Sequence, residues 1–195
     1  MKLTHLMNNV LLSLGITGLI VAGFVFGVPH NEEGNHRVQF SLLDHSGQSV
    51  TQDDLLGKHL LVFFGFTNCP HTCPVGMAKL TEVVNKLDAA GFAARVTPVF
   101  ISVDPERDTV EVVNTYLQSF HERFVGLTGT RTALEGATRS FNTYFSAQAT
   151  AENGDYDVTH SSVAYVIDPD SRVVEYIAFD TSVDTAVGKI KELLL

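Results

Sequence analysis

Phe64-Gly65-Phe66-Thr67-Asn68-Cys69-Pro70-His71-Thr72-Cys73-Pro74 joins two segments of different periodicity. Before the cysteines, His59–Phe66 is a nearly continuous apolar run, the pattern of a strand buried on both faces. After them, Val75, Met77, Leu80, Val83, Val84 and Leu87 recur at helical spacing until Gly91 closes the segment. A strand handing over to a helix through a short loop is the unit of an open α/β sheet, and ligand sites collect where such strands end. Pro74 suits the first helical position, and each proline disfavours α conformation in the cysteine before it, so Cys69–Cys73 is expected as a looped turn.

The flanking sequence extends the same plan. Val38, Phe40 and Leu42 alternate as one strand face before a turn at Asp44-His45-Ser46-Gly47, and Pro98–Val103 is a second buried strand. A helix is expected to open at Asp108, where Asp-Thr-Val-Glu is a capping-box pattern, with Val110, Val113, Leu117 and Phe120 on its apolar face. Another is expected from about Thr132 to Tyr144, carrying Leu134, Ala137 and Phe141. The polar stretch from Ser146 to Asp155 reads as a loop. Val163–Ile167 and Val173–Phe179 read as a hairpin turned by Asp168-Pro169-Asp170-Ser171, and Val183–Leu195 as a closing amphipathic helix. The order β-α-β-α-β-β-α, with additions, is the thioredoxin-like α/β plan.

The 195 residues are 45% hydrophobic, and Lys and Arg number 13 against 22 Asp and Glu. That acidic balance argues against nucleic-acid binding, which needs a basic excess. Val10 to Val28 carries no charge and would span roughly 28 Å as a helix, close to the thickness of a bilayer core. A cleaved signal peptide usually has a shorter apolar region and an A-x-A site, so residues 1–29 read as an N-terminal transmembrane helix. Lys2 precedes the span and Glu32 and Glu33 follow it, which keeps the short end cytoplasmic and puts the globular part on the periplasmic side. Residues 30–36 then form a polar tether and residues 37–195 the domain.

Two cysteines make at most one disulfide and cannot alone complete a four-thiolate metal site. A structural bridge across so short a loop would constrain the unfolded chain little. Thioredoxin-type redox motifs place two residues between the cysteines rather than three, and this chain has no tryptophan. Neither cysteine has the upstream threonine and proline of a peroxiredoxin. A thiol beside a helix N-terminus is inclined to ionise, which suits both metal binding and attack on disulfides. Two soft thiolates with one imidazole satisfy three-coordinate copper(I), whereas zinc would take a fourth ligand. Spacing leaves the imidazole open among eight histidines; His71 is nearest in sequence, and His160 lies just before the expected hairpin.

FTNCPHTCP after one buried strand, FISVDPERDT after the next, and YDVTHSSVAYVIDPD before the last hairpin together resemble the SCO/SenC family of copper-binding, thioredoxin-like proteins, from about Val38 to Leu195. The resemblance implies Cys69 and Cys73 as thiolate ligands and His160 as the imidazole ligand. It implies a role for Asp104 near the site, tuning the copper or a partner contact, with helix capping as the ordinary alternative. Asn68 stands where many relatives have histidine, and His71 where an acidic or small residue is common. The implied function is that of a membrane-anchored copper chaperone delivering copper to the copper-A centre of cytochrome c oxidase subunit II, or to a similar membrane copper protein. A periplasmic thiol reductant and a copper donor would serve it, and no catalytic turnover is required. The rival is a thiol–disulfide oxidoreductase that reduces partner cysteines through the same Cys69–Cys73 pair.

Overall fold

A computed structural model of the chain describes residues 37–148 and 156–195. The expected anchor over residues 1–29 and the tether over 30–36 lie outside the described residues. Among the described residues no helix is long and apolar enough to cross a membrane.

The described chain runs β1 (Ser41–Asp44), β2 (Ser49–Thr51), a 3-10 turn (Gln52–Leu55), β3 (His59–Gly65), α1 (Thr72–Ala89), β4 (Val96–Ser102), α2 (Val110–Leu117) and β5 (Val125–Thr128). It continues through α3 (Arg131–Ser140), β6 (Phe145–Ala147), β7 (Val158–His160), β8 (Val163–Ile167), β9 (Val173–Ala178) and α4 (Val183–Leu194). Seven strands form one sheet in the order β2-β1-β5-β4-β3-β8-β9, and β6 and β7 pair in a separate ribbon. β3, β4 and β5 are parallel; β8 runs antiparallel to β3 and β9 to β8.

Central β3 is buried along its whole length, as its unbroken apolar run requires. Successive side chains serve opposite layers. Phe63 lies against Gly76 of α1, and α4 packs beside α1 on that face. Phe64 on the other face meets Phe141 at the end of α3 and Tyr165 of β8, at ring-centroid distances of 5.1 and 5.7 Å. α1 closes in a Schellman motif: Gly91, at φ +86°, donates to Asp88 O and Phe92 donates to Leu87 O, each over 2.9 Å.

Several local expectations are corrected. α1 begins at Thr72, so Cys73 stands in its first turn and Pro74 is its third residue rather than its first. A proline there removes no intrahelical donor, and its ring faces residue 70, outside the helix. Val75 is 60% exposed rather than on the apolar face. α2 is capped by Thr109, whose side chain accepts from Val112 N, and not by Asp108, which is buried and used elsewhere. α3 stops at Ser140, because Asn142 turns to φ +50°, although Phe141 stays buried. The stretch read as a loop from Ser146 begins with Ser146 and Ala147 of β6, and β2, β5 and β7 add three further strands. Strands of three or four residues carry too few alternations to register as a period. The final hairpin is as expected: Ser171 N donates to Asp168 O at 3.0 Å, and Ser171 at φ +67° completes the turn.

Candidate metal centre

The cysteine loop is pinned from below by one buried carboxylate. Asp108, 1% exposed, accepts from Thr67 N (2.9 Å), Thr67 Oγ1 (2.6 Å) and Ser102 Oγ (2.5 Å), while its own carbonyl accepts from Thr128 Oγ1 (2.8 Å). The loop leaving β3 is thereby fixed to the ends of β4 and β5. Burial raises the Asp108 pKa against the pull of its Ser102 and Thr67 donors. Gly65 is required behind the site, since a Cβ there would stand 2.9 Å from the Phe100 ring and 3.2 Å from Cys73 Sγ.

Both cysteines are free thiols, and they occupy unlike surroundings. Cys69 is half-buried: burial pushes its pKa up, but the N–H groups of Cys73, His71 and Thr72 and the Cys73 side chain outweigh that and bring it below the ordinary thiol value. The Cys73 N–H lies 3.4 Å from Cys69 Sγ. Cys73 itself is fully buried, and burial drives its thiol far above the ordinary value.

β7 ends on His160, whose Nε2 lies 3.3 Å from Cys73 Sγ. Its Nδ1 is 2.8 Å from Ser161 O, and since a carbonyl only accepts, Nδ1 carries the proton and Nε2 presents its lone pair to the sulfur. Burial holds the imidazole pKa down and the ring neutral. Phe63 and Phe66 stand edge-on to the ring at 6.2 and 5.9 Å. A neutral imidazole with its far nitrogen bonded to a carbonyl is the usual preparation of a metal ligand.

Among the described residues no three His, Cys, Asp or Glu side chains stand as a ready-made metal cluster. Cys73 is instead a hub that interacts with Cys69 on one side and His160 on the other. Bonds of about 2.3 Å to sulfur and 2.0 Å to nitrogen put S and N roughly 3.7 Å apart around a trigonal ion, so the Cys73–His160 contact needs only a few tenths of an ångström of opening. The donor set fits a soft ion once the thiol protons leave.

Asp104 is buried and caps no helix. Its carboxylate pairs with Arg107 Nε and accepts the Tyr156 hydroxyl, and its N–H donates to Ser102 Oγ over 3.1 Å. His71 is exposed at the N-cap of α1 and makes no side-chain capping bond. Sequence reasoning gave Asp108 another role, as a helix start, and gave none to Arg107 or Tyr156. The first two lie inside FISVDPERDT and Tyr156 opens YDVTHSSVAYVIDPD, where only the tertiary contacts reveal what they hold.

An α/β sheet carrying two thiols and an imidazole at one strand end defines a thioredoxin-like dithiol protein with a soft-metal donor set. The SCO1/SenC family model matches residues 28–195, and the chain belongs to that family. It is 43% identical over 152 residues to the mitochondrial SCO2 homologue of Mus musculus, covering 78% of this chain and 60% of that protein. The chain thus spans about three-fifths of that relative's length. Arabidopsis thaliana ScoI, solved with copper bound, superposes with a TM-score of 0.76 at 37% identity, over 82% of this chain and 99% of that one. BsSco superposes with a TM-score of 0.65 at 28% identity, over 82% of this chain and 94% of that one; it is described as a Sco-family cytochrome c oxidase assembly protein with a disulfide switch.

Proposed function

We propose that the chain is a membrane-anchored copper chaperone that holds copper(I) through Cys69, Cys73 and His160 and passes it to the copper-A centre of cytochrome c oxidase subunit II during oxidase assembly. The observation that carries this reading is the 3.3 Å contact between Cys73 Sγ and a neutral His160 whose other nitrogen is already fixed. Copper-bound relatives supply the metal, and the oxidase-assembly description of BsSco supplies the process. The anchor over residues 1–29 and the tether over 30–36 would hold the domain, residues 37–195, on the periplasmic side of the inner membrane. Confinement to that surface raises the effective concentration of a membrane partner.

Loading exchanges thiol protons for the ion, so copper binding and proton release are coupled. Half-buried Cys69 is the ligand a partner sulfur can displace first, and buried Cys73 with His160 lets go last. In the metal-free protein, exchange with an external disulfide would carry two electrons and two protons from the pair to that oxidant and join Cys69 to Cys73, leaving no thiolate for the metal.

A second reading is favoured by the asymmetry of the thiols: partly exposed Cys69 is suited to attack a partner disulfide and buried Cys73 to resolve the mixed disulfide. That is the pattern of a thiol–disulfide oxidoreductase. To separate the two, the full chain is reduced under nitrogen, supplied with copper(I), and its bound metal counted by native mass spectrometry beside Cys69→Ser and His160→Ala. One ion per chain, lost or much weakened in both variants, supports the chaperone. Full copper affinity in His160→Ala, with disulfide reduction intact, would leave the oxidoreductase.

A further inference from the structure

The ribbon that carries His160 is not a part of the main sheet: Phe145 pairs with His160, Ser146 with Thr159 and Ala147 with Val158, and the ribbon stands as a sheet of its own. Its placement rests on the two-residue link from His160 to β8, on buried Val158 and on side-chain contacts. Arg107 supplies the densest set. Its guanidinium lies 3.7 Å from the centroid of the Tyr156 ring, and Nη1 donates to the Tyr156 carbonyl over 2.9 Å. Its Nε pairs with Asp104, whose other carboxylate oxygen takes the Tyr156 hydroxyl, so Tyr156 is gripped by ring, carbonyl and hydroxyl together. Asp104 is held in turn: its N–H donates to Ser102 Oγ, and its carbonyl accepts from Arg107 N and Asp108 N over 3.2 and 2.8 Å.

We propose that Arg107 and Tyr156 form a clamp that positions His160 against the cysteines. Two routes connect the clamp to the imidazole. Tyr156 lies four residues ahead of His160, so a shift at Tyr156 is passed along β7 to the ligand. The Arg107 guanidinium also stands 5.7 Å from the Phe66 ring, the same ring that meets His160 edge-on. Asp104 thus anchors a positioning device: its carboxylate acts on the site through Arg107 and Tyr156. Lysine could keep the charge but not the flat stacking surface or the fork, so the clamp depends on arginine itself.

The inference rests on His160 being a copper ligand, and its test separates the two ideas. In the full chain, Arg107→Met and Tyr156→Leu are made alone and in the His160→Ala background. Copper(I) affinity is read by competition with a chelator, and amide hydrogen exchange is followed in the metal-free protein. Loss of a residue that orients a ligand weakens metal binding by about tenfold. Arg107→Met is expected to do so with His160 present, and to change affinity less than about twofold once His160 is gone. In metal-free protein, exchange should rise at Val158–His160 while His59–Gly65 stays protected. Arg107→Lys is the milder substitution and should fall between wild type and Arg107→Met; it takes the place of Arg107→Met if that variant does not fold. Equal weakening with and without His160, or unchanged exchange at Val158–His160, overturns the clamp. If His160→Ala leaves affinity untouched, the ligand assignment fails, and the exchange measurement still decides whether Arg107 holds the ribbon.

Discussion

The cysteine loop and the histidine ribbon meet at a sulfur–nitrogen contact and at the edge-on Phe66–His160 rings but are built on different principles. The loop continues the most buried strand of the sheet and is tied to its neighbours by Asp108, so its sulfurs inherit the rigidity of the core. The ribbon has three residues per strand, lies outside the main sheet, and joins it through Ser161 and Ser162, with Arg107 stacked on Tyr156 just before β7. On the proposed reading, the ion would sit between a half tied into the core and a half that lies outside the main sheet.

The contrast can be broken at the hub first. Cys73→Ser removes the sulfur that touches both partners, and copper(I) affinity is expected to fall on the order of a hundredfold or more. Cys69→Ser should cost less in anaerobic titration, and the reverse order would contradict Cys73 as the hub.

Thiol chemistry gives the next effect. The Cys69 pKa lies below the ordinary thiol value and that of Cys73 well above it, so near neutral pH Cys69 should alkylate at least about tenfold faster. Because a lowered pKa preserves thiolate toward acid, the Cys69 rate should persist to lower pH than for a free cysteine. Cys73 should react only as the solution becomes strongly alkaline. Copper affinity should weaken as pH falls, since protons compete for both sulfurs. Iodoacetamide labelling across pH, read by peptide mass spectrometry, measures the first part; indistinguishable profiles for the two cysteines would remove the asymmetry.

Gly65→Ala probes the rigid half. Its methyl would press on Phe100 and on Cys73 Sγ, a crowding that costs about 1–3 kcal/mol. Thermal unfolding should show the lowered stability, and copper affinity should fall with it because the methyl abuts the sulfur. Ser182→Ala at the start of α4 is the quiet comparison. It removes an N-cap that accepts from Thr185 N over 3.1 Å and should cost about 1 kcal/mol while copper binding stays as in wild type. A loss of copper affinity there would mean that the site responds to general stability.

Legibility in the sequence followed the range of the interactions. Core strands and long helices were readable because burial repeats along the chain: His59–Phe66 is apolar throughout, and α1 keeps helical spacing to its glycine stop. β2, β5, β6 and β7 were not readable, because strands of three or four residues carry too few alternations and take their pairing from the fold. Asp108 looked like a helix cap because Asp-Thr-Val-Glu has the capping-box pattern; burial under the cysteine loop decided its use, and Thr109 caps the helix instead.

By itself the sequence determined the strand–loop–helix unit, the two cysteines at its mouth and the soft chemistry those thiols favour, because each depends on residues within one or two turns of one another. The family motifs pointed to His160, but the tertiary structure alone brought its Nε2 to Cys73 across 87 positions and gave the two sulfurs opposite pKa shifts. Contact and dielectric belong to the folded surroundings, and no stretch of chain read alone contains them.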